Sequence, residues 1–130
     1  MDFPSLLLMT HSLNRWVIVL VTIVALVKFI RGYFQKEPFT PADGRILSVW
    51  VGLLDLQLIL GFILLVTQPL TRPRLEHGIP LILAVTFAHI HTRWSAAEPA
   101  IKFRNNALLI TGIALIIIVA VAALPQGWLG

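Results

Sequence analysis

The sequence predicts an all-α fold, an integral membrane four-helix bundle running up-down-up-down, on three observations. Of its residues, 58% are hydrophobic and only 12% are charged, where a soluble domain averages about 45–50% apolar and about a quarter charged. Mean hydropathy is +0.88. The apolar residues fall into four runs, separated by stretches that hold most of the basic residues and several prolines. One compact domain over residues 1–130 follows, with helices over about 11–31, 46–67, 75–94 and 105–124.

The first run, Trp16 to Ile30, extends upstream through Leu13 to His11. As a helix it reaches about 30 Å, the thickness of a hydrocarbon core. Trp16 suits the interface, and Lys28 and Arg31 can snorkel at the far end. The N-terminal residues lack a basic region, and no small-residue cleavage site follows, so the run reads as a retained helix. Pro38, Pro41, Asp43 and Gly44 then mark a loop.

The second run, Ile46 to Val66, carries Asp55 and Gln57 near its middle and Gly52 and Gly61 within it. Gln68-Pro69 ends it, and Arg72-Pro73-Arg74 cannot continue a helix. The third run, Ile79 to Ile90, spans only about 18 Å by itself. Extension from Leu75 to Trp94 lengthens it and sets Glu76, His77, His89 and His91 toward its ends, with Pro80 near the start, where proline is tolerated. The fourth run, Ala107 to Leu124, is almost purely aliphatic and stops at Pro125, with Asn105 and Asn106 as expected caps and Trp128 at the interface beyond.

Four crossings put both termini on one side. The loops after the first and third helices share the other side with Lys28, Arg31, Lys36, Arg45, Arg93, Lys102 and Arg104, against Arg15, Arg72 and Arg74 on the terminal side. The positive-inside rule places the basic loops in the cytoplasm and both termini outside, which in a bacterial inner membrane is the periplasmic face. The net charge of +4 is therefore read as topology, and no nucleic-acid partner is expected. The chain has no cysteine. Disulfides, thiolate metal sites, iron–sulfur ligation and covalent c-type haem attachment are excluded. No nucleophile–base constellation or phosphate-binding loop is present, so an electron carrier or subunit is expected before a stand-alone enzyme.

Ionisable residues inside apolar runs need a reason. Topology sets His11 and His77 at a similar depth on the terminal side, on different helices. Two imidazoles so placed can act as the axial metal ligands of one b-type haem. Arg15, one turn from His11, and Arg72 and Arg74 are then expected at the propionates. The alternative is a pair of interfacial histidines hydrogen-bonded to Glu76 or to backbone. His89 reads as a proton carrier, a second axial ligand, or a histidine bonded across to another helix, the last preferred. His91 and Arg93 read as a solvated helix end. Asp55 is a proton or quinone contact, or an acid that is neutral or paired with Arg15 or a histidine. Gln57 and Gly61 share a face and read as a packing and hydrogen-bonding site.

Several of these residues form motifs. Thr10-His11-Ser12-Leu13-Asn14-Arg15-Trp16 resembles the H-S-x-x-R-W opening of small bacterial four-helix membrane proteins labelled cytochrome b-like. Asp55 to Gly61 resembles their D-x-Q-L-x-L-G element, and Glu76-His77, Ala84, Ala88-His89 and Arg93 resemble their third helix. The departure is His91, where a small residue is expected. The resemblance implies a four-helix membrane bundle and a b-type haem. It points to His11, His77 and His89, with Arg15, Gln57, Glu76 and Arg93 around them. Expected partners are membrane lipid, quinone as a substrate, and a homo-oligomer or larger membrane redox complex. A cofactor-free accessory subunit is the competing reading, and a proton or solute pathway through Asp55 and His89 a third.

Overall fold

The computed structural model describes residues 2–129. Four α-helices make up most of it: α1 (Phe3–Phe34), α2 (Pro41–Thr67), α3 (Arg72–Ala88) and α4 (Pro99–Ala122). A 3₁₀ helix, His89–Trp94, continues α3, and a short 3₁₀ turn, Gly127–Leu129, follows α4. No strand occurs among the described residues. α1, α2 and α4 are each long and apolar enough to cross a membrane.

Helices α1 and α2 begin where polar residues satisfy their first N–H groups, upstream of the apolar runs. Asp2 accepts from the Ser5 N–H at 2.8 Å. Bonding by Ser5, through its hydroxyl and its N–H, holds that carboxyl below the usual carboxylate range. Thr40 and Asp43 form a reciprocal capping box at the start of α2. Every one of the four helices has a proline in its first two positions, where a missing N–H costs nothing. Helix α1 therefore starts eight residues before its expected boundary at His11, and α2 five before Ile46. Arg72-Pro73-Arg74, which cannot continue a helix, instead opens one. Asn105 and Asn106 lie within α4, whose N-cap is Glu98.

α1 ends in a paired closure. The Glu37 N–H reaches the Gly32 carbonyl at 3.0 Å, and the Lys36 N–H reaches Tyr33, the two bonds of a Schellman motif. The motif needs a left-handed residue, and Lys36 supplies it with φ 53°. α2 ends before Pro69, where the Arg74 guanidinium donates to the Leu64 and Pro69 carbonyls. Pro80 differs from expectation too: because α3 begins at Arg72, the proline is interior and removes the bond to the Glu76 carbonyl. The third helix keeps α geometry only to Ala88, not to Trp94.

α1 packs on α2 and α4, and α3 packs on the same two helices. Residue numbers rise along α1 as they fall along α2: Asn14 bonds Gln57, Thr22 bonds Trp50, and Lys28 pairs with Asp43. The same inversion relates α3 to α4, with His77 on Ala120 and, beyond α3, Trp94 on Asn106. The core centres on Trp50, Phe29, Phe103 and Ile110, all essentially without exposure. Phe29, Phe39 and Phe103 stack mutually with centroids 5.1–5.9 Å apart. Phe103 lies so close over Gly32 that a Cβ there would meet its ring at 2.6 Å.

The exterior is unlike that of a water-soluble protein, since large apolar side chains cover it as well as filling the core. Asn14, Asp43 and Asn106 are buried, while Leu20, Ile23, Val27, Ile59, Phe62, Leu115 and Val119 are exposed. A contiguous apolar exterior of this kind marks a surface that meets something other than water.

Candidate functional site

His11 comes from the third turn of α1 and His77 from the second turn of α3. The structure sets the two rings side by side, with centroids 6.4 Å apart and planes at 80°. Each ring is held by a different helix. His77 Nδ1 lies 2.9 Å from the Ala120 carbonyl. A carbonyl can only accept, so Nδ1 carries the proton and Nε2 is the nitrogen with a free lone pair. That carbonyl is available because α4 is ending: the Leu124 N–H turns to Val121 instead of Ala120.

His11 lies against α2. A Cβ on Gly61 would sit 3.1 Å from His11 Cε1, so the glycine lets the ring approach the α2 backbone. The His11 carbonyl accepts from Gln57 Nε2 at 2.8 Å. Gln57 Oε1 accepts from Asn14 Nδ2 at 2.8 Å, and Asn14 also reaches the Leu53 carbonyl at 3.2 Å. One amide pair thus ties α1 to α2 directly below His11. His11 Nδ1 is buried with no hydrogen-bond partner.

Arg15, Arg72 and Arg74 each have protein partners of their own. Arg15 donates to the Trp128 carbonyl at 3.3 Å, and its guanidinium lies 5.4 Å from the Trp16 ring and 5.6 Å from the Trp128 ring. The two indoles meet edge to face at 5.9 Å. Arg72 pairs with Glu76 at 2.7 Å, one turn along α3, and Arg74 closes α2. Glu76 therefore serves Arg72 rather than either histidine.

His89 and Asp55 form a second polar couple, Nε2 to Oδ1 at 2.9 Å, joining the start of the 3₁₀ helix to the middle of α2. It stands apart from the first and on the outside, with Asp55 42% and His89 52% exposed. His91 is half-buried, and Arg93 is exposed in the same 3₁₀ helix.

Asn14, Ala120 and Trp128 are the participants that sequence reasoning missed. Asn14 could have been found as an amide inside an apolar run, three residues from His11. Ala120 acts through its backbone, which no residue pattern reports.

Comparison with family models, with curated proteins and with solved structures finds no match.

The donor set can be tested against a haem iron. An imidazole nitrogen binds a metal at about 2 Å, and roughly another 1 Å separates that nitrogen from its ring centroid. Two axial imidazoles therefore hold their centroids roughly 6 Å apart, and the observed separation is 6.4 Å. A ligating histidine also commonly donates its other N–H to a backbone carbonyl, as His77 does to Ala120. His11 and His77 are the residues that would hold such a group. No group of three or more metal-binding side chains occurs among the described residues.

Proposed function

We propose that this chain is an up-down-up-down four-helix protein of the bacterial inner membrane, with both termini periplasmic, that holds one b-type haem between His11 and His77 and carries electrons. The membrane part is supported by three span-length apolar helices, the apolar exterior and the inverted contact order of neighbouring helices. The resemblance of its H-S-x-x-R-W, D-x-Q-L-x-L-G and E-H motifs to the cytochrome b-like family points the same way.

The observation that carries the haem reading is the juxtaposed histidine pair with His77 Nδ1 committed to Ala120. Held by His11 and His77, a haem would supply a one-electron couple. The chain's own residues do the positioning. The Ala120 carbonyl fixes the His77 tautomer and ring direction. Gln57 and Asn14 fix the backbone that presents His11, and Gly61 sets the ring's approach to α2. Arg15, clasped by Trp16 and Trp128, closes this end of α1 against the segment after α4. Quinone is the proposed electron partner, and a homo-oligomer or a larger respiratory assembly the proposed setting.

A reduced-minus-oxidised visible spectrum of the detergent-purified chain, with haem quantified against protein, tests this. About one low-spin b-type haem per chain is expected, lost in His11→Ala and in His77→Ala and retained in His91→Ala. Full haem retention in His77→Ala rejects the ligand assignment.

A second reading is favoured by a separate observation. Asn14, Gln57, Trp50, Thr22, Trp94 and Asn106 bond one another between helices, as interhelical glue does in a cofactor-free accessory subunit. A colourless chain that co-purifies with a larger complex, from cells supplied with haem precursor, selects that reading.

A further inference from the structure

We propose that the face of α2 and α3 bearing Asp55 and His89 docks a second copy of this chain, the two pairs meeting across a two-fold axis. The proposal rests on the membrane reading above and is independent of haem.

Asp55 lies near the middle of the span-length helix α2. Neighbouring polar side chains are bonded between α1 and α2 or, as Thr86 is, to their own helix. Asn14 is buried on Gln57, and the Trp50 indole donates to Thr22 at 3.0 Å. Asp55 and His89 satisfy one another at 2.9 Å yet remain about half exposed. A carboxylate facing hydrocarbon lowers insertion by about a hundredfold, so this surface is stable in a bilayer when it is covered.

The surroundings suit a cover of the same kind. Ile59 and Phe62 follow Asp55 at helical spacing on α2, and Ile79 and Ile82 precede His89 on α3, all four exposed. One turn before Asp55, Gly52 has nothing within 4 Å of where a Cβ would stand, leaving the backbone open to close approach.

Hydrogen-bonding capacity selects the occupant. The existing bond uses Asp55 Oδ1 and His89 Nε2, which leaves Oδ2 and Nδ1. With a proton on Nδ1 the pair presents one further acceptor, Oδ2, and one further donor, Nδ1–H. A two-fold axis brings the donor of each copy to the acceptor of the other, and the face becomes self-complementary. A hydroxyl-bearing lipid-phase molecule such as a quinol would use the same two atoms but leave the chain monomeric.

The absence of native cysteine makes the test direct. The full chain is reconstituted in vesicles with single substitutions Ile59→Cys, Phe62→Cys or Ile82→Cys on the proposed face, and Leu20→Cys or Val119→Cys on exposed positions of α1 and α4. Disulfide-linked dimers are expected from the first three and not from the last two. The double variant Asp55→Leu/His89→Leu, carrying Ile59→Cys, is expected to cross-link about tenfold less at matched lipid-to-protein ratio, the worth of one or two interhelical hydrogen bonds in a membrane. Equal cross-linking at all five positions, or a monomeric mass at every lipid-to-protein ratio, overturns the proposal. Alkaline carbonate extraction of the unsubstituted chain separates the two levels. Release from vesicles removes the membrane reading, and with it the proposal. Retention with no preference among faces removes the proposal alone.

Discussion

Lys36 is held at φ 53° because the closure of α1 requires a left-handed residue there. A side chain with a Cβ pays about 1–2 kcal/mol for that conformation, and glycine does not. Glycine loses about half of that advantage to the greater freedom of its unfolded chain. Lys36→Gly is therefore expected to stabilise the protein by about 0.5–1 kcal/mol, read as a rise in unfolding midpoint in detergent. No change would mean that the Schellman closure is not maintained in solution. At the same scale, three of the four histidines have distinct partners. His77 is fixed by a carbonyl, His11 is packed on a glycine, and His89 is paired with a carboxylate.

Gly32 and Phe103 show the same dependence on small residues between helices. The Phe103 ring occupies the space where a Cβ on Gly32 would stand, and Phe29 and Phe39 hold the ring in place. Gly32→Ala must push α1 and α4 apart. It is expected to cost about 1–3 kcal/mol, measured by denaturant unfolding in micelles, whereas Gly112→Ala, with open space around it, is expected to cost nothing measurable. The existence of these helices was legible in the sequence because each carries a long apolar run. Their starts were not, because Asp2, Thr40 with Asp43, and the prolines after them lie outside those runs. Polar caps lengthen a helix beyond the part that hydropathy sees. The change to 3₁₀ geometry at His89 was hidden for another reason: Ala88 to Trp94 contains no glycine or proline to announce it. Of the candidate site, the similar depth of His11 and His77 followed from topology alone. The Arg15 clasp did not, since it depends on where the chain turns after α4.

Taken as a whole, the molecule buries an apolar core together with Asn14, Asp43 and Asn106, and also exposes many aliphatic side chains. Three of its cations are locally balanced, Lys28 by Asp43 at 2.9 Å, Arg31 by Glu37 at 3.5 Å and Arg72 by Glu76 at 2.7 Å. Orientation in a membrane follows lysines and arginines and takes little account of acidic neighbours, so these pairs leave the proposed topology intact. Single cysteines then report the sidedness. Gln35→Cys and Ala97→Cys are expected to be protected from an impermeant maleimide in spheroplasts, and Leu70→Cys to react. Reaction of Ala97→Cys in intact spheroplasts would invert or break the proposed order of crossings.

The hydrogen bond between His77 and Ala120 joins residues 43 positions apart, and that separation has a meaning during synthesis. The α1–α2 hairpin can close with its own amide, indole and ion-pair links as soon as those two helices leave the ribosome. His77 cannot receive its tautomer until the last helix has been translated almost to its end. The His77 imidazole therefore waits through the synthesis of the next 43 residues, and the arrival of α4 is the event that fixes it.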